Sequence, residues 1–180
     1  MSGKVLGKKH QKHMACLGVH FAITDDELER LESFPADEQR LTYLQEEIED
    51  KYFGELPQYV AESDKSWDAM HRALSDGDLS YTTGPEPLRF AVIGGLPLYA
   101  KGDYIISLKM PLMVGAVAQA LSQLSIEEFR KRYDVIDEAK CAFPKSQKDF
   151  DYTWHYLQSI RDLFIRAEKD ERCVIFTADQ

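Results

Sequence analysis

The stretch ACLGVHFAITDDE, residues 15–27, decides the fold class. Its first nine residues are apolar with β-branched and aromatic side chains, the composition of a buried strand. The next four open a helix. Thr24 is followed three positions later by Glu27, so the hydroxyl can satisfy an orphan amide while the carboxylate reaches back, a capping box. Leu28 and Leu31 then share one face of a short helix, which Pro35 closes. A strand that passes straight into a capped helix is a unit of α/β architecture.

The chain goes on alternating in this way. Leu41, Leu44 and Ile48 predict a second helix over 36–53, with Glu46, Glu47, Glu49 and Asp50 on its wet face and Gly54 and Pro57 at its end. Residues 59–61 form a short extended piece. Ser63 or Asp64 can cap a helix that reaches about Ser75 and carries Trp67, Met70, His71 and Leu74 on one side. Residues 75–78 and 83–85 have turn chemistry. Leu88 to Ile93 predicts a short helix, stopped by Gly94-Gly95-Leu96-Pro97. YIISL, residues 104–108, is the clearest buried strand. Pro111 opens a helix to about Leu124, and Ser125 with Glu128 makes a second capping box, for a helix to Tyr133. A long amphipathic helix runs from about Gln147 to Lys169, and CVIFT, residues 173–177, closes the chain as a strand. Strands separated by helices predict an α/β fold: a small, largely parallel or mixed sheet of three to five strands with about seven packed helices. It forms one globular domain over residues 14–180.

Composition agrees with a packed core. The 180 residues are 44% hydrophobic and 29% charged, and no apolar run approaches the roughly 20 residues that span a bilayer. Cys16, Cys141 and Cys173 are odd in number and far apart, which gives neither a disulfide framework nor a zinc motif. Cys16 and Cys173, in apolar strand-like runs, read as small buried hydrophobes in a reducing compartment, so a cytoplasmic location is expected. Residues 1–13 hold Lys4, Lys8, Lys9 and Lys12 and no acid. This stretch reads as a disordered basic arm, either a leader left by cloning at His13-Met14 or a natural basic tail. The remaining residues set 18 basic side chains against all 31 acidic ones. Nucleic acid and anionic membranes should be repelled by that balance. A basic protein partner would suit it, although the same charge can serve solubility alone.

Chemistry-bearing residues are sparse. Asp64, Lys65, Trp67 and His71 form the sharpest local group and are the candidate ligand-binding residues. Trp67 and His71 are four apart on one helix face, where the indole can stack near an imidazole able to act as a general base. The structural reading is a core histidine with both nitrogens hydrogen-bonded, Asp64 as an N-cap and Lys65 along the surface. Gly94-Gly95 lacks the pattern of a phosphate cradle, and Asp76 and Asp78 lack the rest of a calcium loop. His10, His13, His20 and His155 have no metal-ligand spacing, and no serine or cysteine nucleophile motif occurs. Neither a metal nor a cofactor is expected. Tyr152, Trp154, Tyr156 and Phe164 read as packing residues.

Several motifs together resemble the bacterial YfbM-like family. They are Met14-Ala-Cys-Leu-Gly-Val-His-Phe21 with Ile23-Thr-Asp-Asp-Glu-Leu28, then Asp64-Lys-Ser-Trp-Asp-Ala-Met-His71 and Pro87-Leu-Arg-Phe-Ala-Val-Ile-Gly-Gly95. Asp103-Tyr104, the Pro111 helix, Leu124-Ser-Ile-Glu-Glu-Phe-Arg-Lys-Arg-Tyr133 and the long helix with its terminal strand continue the likeness. The resemblance implies a compact α/β domain with no assigned reaction or cofactor. It departs at Leu96 to Lys101, a segment that offers neither an acid nor a histidine. The functional expectation is a non-enzymatic binding or interaction domain, immunity-like towards a basic protein. The alternative is a small-molecule binder or enzyme with its site near Trp67 and His71. The oligomeric state stays open.

Overall fold

Five strands hydrogen-bond in the order β2-β1-β5-β4-β3, and every neighbouring pair is antiparallel. The strands are β1 Gly18–Ile23, β2 Val60–Asp64, β3 Leu96–Lys101, β4 Tyr104–Lys109 and β5 Cys173–Asp179. The structure is a computed structural model and describes residues 17–101, 104–141 and 144–179. The expectations placed on the basic arm, His10, His13, Cys16 and Asp103 lie outside the described residues.

Helices cover both faces of the sheet. Between β1 and β2 come α1 Asp25–Ser33, α2 Asp37–Tyr43, a π turn Leu44–Ile48 and α3 Glu49–Glu55. The Thr24 capping box is formed in full. Leu28, Leu31, Leu44, Ile48 and Tyr52 from this layer bury against Phe21, Ile23, Ile106, Leu108 and Ile175. The opposite face carries α4 Trp67–Leu74, α5 Pro111–Gln123, α6 Ile126–Asp134 and α7 Gln147–Lys169. Here Met70, Val117, Leu121, Leu157 and Phe164 pack on Ala22, Ile105, Val174, Phe176 and Ala178. Alternate residues of β4 and β5 therefore serve two cores, as the period of two in a strand requires.

Three expectations need correction. The sheet is antiparallel throughout, not largely parallel or mixed. A parallel crossover needs the chain to return to the end of the sheet where it started. Between β1 and β2, however, α1 and the α2–α3 rod act as an out-and-back pair and deliver the chain at the opposite end. Further on, β3 and β4 form a simple hairpin. The helical bodies number six rather than about seven among the described residues, because the helix expected over Leu88 to Ile93 is only a 3-10 turn, Leu88–Ala91, while α2, the π turn and α3 run on as the single rod expected. β3 itself falls where the sequence predicts a helix stop and a turn. Pro97 donates no ladder hydrogen bond, but β3 is an edge strand with an irregular register between Pro97 and Tyr99, the setting in which a strand tolerates proline.

Candidate functional site

Charge is the feature that most distinguishes one face of this molecule from the other. Residues 25–64, which build α1–α3 and β2, carry fourteen of the chain's carboxylates against three cations, Arg30, Arg40 and Lys51. Each cation is already paired within the layer: Arg30 with Glu47 at 3.4 Å, Arg40 with Asp37 at 3.1 Å and Lys51 with Glu27 at 2.5 Å. Lys101 of β3 adds a second contact to Asp37 at 2.5 Å. Lys51, Tyr52 and Thr24 all bond Glu27. Burial pushes its carboxyl up, but these hydrogen bonds outweigh it and hold the pKa below the usual value.

Two clefts open on this layer. The first, of about 310 Å³, lies along the rod and is lined by Phe34, Glu38, Tyr43, Glu46 and Glu47 among others. The second, of about 230 Å³, sits between α3 and one end of the sheet. Glu49, Glu62, Asp64 and Asp179 ring it, its apolar wall is Leu17, Val19, Phe53 and Tyr104, and none of the described lysines or arginines lines it. The Tyr104 hydroxyl donates to Glu49 at 3.0 Å, which fixes one of the four acids.

The other face hides a basic cluster. Lys109 is fully buried, and its Nζ bonds the Val92 carbonyl and both the carbonyl and Oγ of Ser107. Burial pushes its pKa well below the ordinary lysine value. His20 is equally enclosed and meets the Ala91 carbonyl at 2.9 Å through Nε2. Burial, assisted by Lys109, lowers its pKa to about 3. His71 is fully buried, with Nε2 3.0 Å from the Ser80 carbonyl and Nδ1 3.4 Å from the Ile93 amide. Burial again dominates and lowers its pKa to about 4.

The four residues singled out from the sequence do not share a cleft. Trp67 is 4% exposed and packs beside Phe176 at 5.9 Å, while His71 bonds Ser80 and Ile93. Asp64 ends β2 in the left-handed region, with φ at 46°, and its Oδ1 accepts from the Lys65 amide at 2.8 Å. It is not the N-cap of α4, a position held by Ser66. Asp64 lines the cleft beside α3, whereas exposed Lys65 lines a different one with Lys148 and Tyr152. Neither Trp67 nor His71 lines any of the five clefts described. Sequence reasoning passed over Ser107 and Lys109. Their signal was the period of two from Ile105, which aims both side chains into the same core. Among the described residues, no group of three or more His, Cys, Asp or Glu side chains is placed to hold a metal ion. No helix there is long and apolar enough to cross a membrane.

A family model described as "Domain of unknown function (DUF1877)" matches residues 14–177. The chain belongs to this family. No curated protein matches it. Among solved structures it is similar to YfbM from Escherichia coli, a protein of unknown function, at 17% sequence identity and a TM-score of 0.60. The match covers 90% of this chain and 99% of that one. At that identity the likeness shows the fold alone. The motif resemblance to YfbM-like proteins thus agrees with both family and fold, and the DUF1877 family brings no assigned reaction with it.

Proposed function

We propose that this DUF1877 chain is a non-enzymatic cytoplasmic binding domain that docks a basic protein, in an immunity-like role, against the layer formed by α1–α3 and β2. One observation carries the reading: fourteen carboxylates within residues 25–64, with every cation of that layer already engaged by an acid. Such a surface attracts lysine- and arginine-bearing partners, raises their encounter rate and repels nucleic acid. Phe53 and Leu17, 46% and 44% exposed at the cleft beside α3, supply apolar contact inside the charged rim. A ligand or catalytic site at Asp64, Lys65, Trp67 and His71 has less support, because two of these side chains are enclosed and the other two line separate clefts.

The test is co-purification from native lysate with the unmodified chain and with a Glu38→Lys, Glu46→Lys, Glu62→Lys variant. These three glutamates are exposed and line the two acidic clefts. A basic protein should be recovered in near-stoichiometric amount at about 50 mM salt and lost at about 500 mM, where the screening length falls to a few ångströms. The variant should recover none at either salt. Finding no stoichiometric partner, or equal recovery by the charge-reversed variant, overturns the proposal.

A further inference from the structure

Residues 75–94 join α4 to β3 with no helix or strand beyond the 3-10 turn Leu88–Ala91. The second part of this segment is anchored, since Ala91, Val92 and Ile93 lie in the core. The first part is mostly exposed. Among the described residues, no backbone hydrogen bond joins 78–94 to any other part of the chain; side chains make the links instead. Lys140 reaches Asp78 at 2.6 Å, with both partners about half exposed. Arg72 donates to the Gly77 carbonyl at 2.9 Å, Ser75 Oγ to the Asp78 carbonyl at 3.3 Å, and Tyr81 packs against the core. His71 is the buried side chain that bonds both the first part, at Ser80, and the second, at Ile93.

His71 joins the two parts of the segment and can do so only when neutral. Its Nδ1 accepts from the Ile93 amide, so the ring proton sits on Nε2 and is donated to the Ser80 carbonyl. An imidazolium carries N–H on both nitrogens, so protonation would turn Nδ1–H towards Ile93 N–H and oppose two donors. The charged groups that face the ring are Lys109 and Arg72, which oppose a positive charge, and Asp76, which favours one. His20 bonds Ala91, inside the anchored part, and holds that part independently.

We propose that residues 78–87 are a flap latched by His71, and that protonating this imidazole frees the flap while the sheet and its helices stay folded. Opening gives solvent access to the His71 ring, while Lys109 stays capped by the anchored Val92 carbonyl and by Ser107. The proposal is independent of the acidic docking layer, which lies on the opposite side of the sheet.

Amide hydrogen exchange of the full chain, corrected for intrinsic rates, tests it between about pH 7 and about pH 4. Flap amides should open by a lower-energy route than those of β5. That opening should rise by about tenfold per pH unit once the free imidazole titrates. In His71→Gln, whose amide can also donate and accept but does not titrate, the flap profile should be flat with pH. An unchanged slope in His71→Gln overturns the proposal, as does exchange of flap and β5 through one common opening at every pH. If His71→Gln does not fold, the imidazole resonances of the unmodified protein decide. A His71 titration midpoint that fails to coincide with loss of flap protection also overturns it.

Discussion

His20 lies against Phe176, with ring centroids 4.8 Å apart, and donates through Nε2 to the Ala91 carbonyl in a region that water does not reach. Its folded pKa of about 3, and the value of about 4 for His71, are both depressed from 6.5. The unfolded chain therefore binds protons first as pH falls. The contribution of these two histidines is complete above pH 6.5, declines as pH drops from there, and levels off below the folded values, at a cost of about 1 kcal/mol per pH unit for each. Glu27, also depressed, adds loss in the same direction below its unfolded value. Denaturant melts from pH 6.5 to about 4.5 should show this slope, and His20→Gln should lower it by about 1 kcal/mol per pH unit. A variant with the full slope would refute the assignment. Little of this was legible beforehand. A histidine in an apolar strand announces burial, but which carbonyl receives its proton depends on residues 71 positions away.

Elements with a local cause were legible, and elements with a distant cause were not. The Thr24 box, the Pro111 start of α5 and the extent of α7 follow from adjacent chemistry and stand where the sequence put them. Ser125 caps α6 as expected, but Glu128 turns to Arg132 instead of closing the box. β3 escaped notice because Pro97 argues against a strand unless its edge position is known. The charged layer was hidden for the same reason: the acids of residues 25–64 can be counted in the sequence, but only the sheet order sets them on one side. The local elements permit a local prediction. Thr24→Ala removes the hydroxyl that accepts from the Glu27 amide and donates to its carboxylate. It should cost about 1 kcal/mol in chemical denaturation. A change near zero would mean that Tyr52 and Lys51 alone hold Glu27 and with it the start of α1.

At the scale of the whole molecule, the uneven charge has a thermodynamic effect even without a partner. Fourteen carboxylates crowded on one layer repel one another through solvent, and added salt screens that repulsion. Thermal melts at neutral pH should move upward as sodium chloride rises from about 10 mM to about 200 mM. The Glu38→Lys, Glu46→Lys, Glu62→Lys variant should be less sensitive to the same change. A melting temperature that falls with salt would show that the ion pairs of this layer outweigh its repulsion. The sheet order carries a separate consequence. β5 follows every other strand in sequence yet lies at the centre, between β1 and β4. A nascent chain still tethered to the ribosome before β5 emerges thus holds two unjoined ribbons with bare inner edges. Protecting those edges from neighbouring chains becomes a task for chaperones rather than for the fold, and the final topology is reached only after synthesis has passed Asp179.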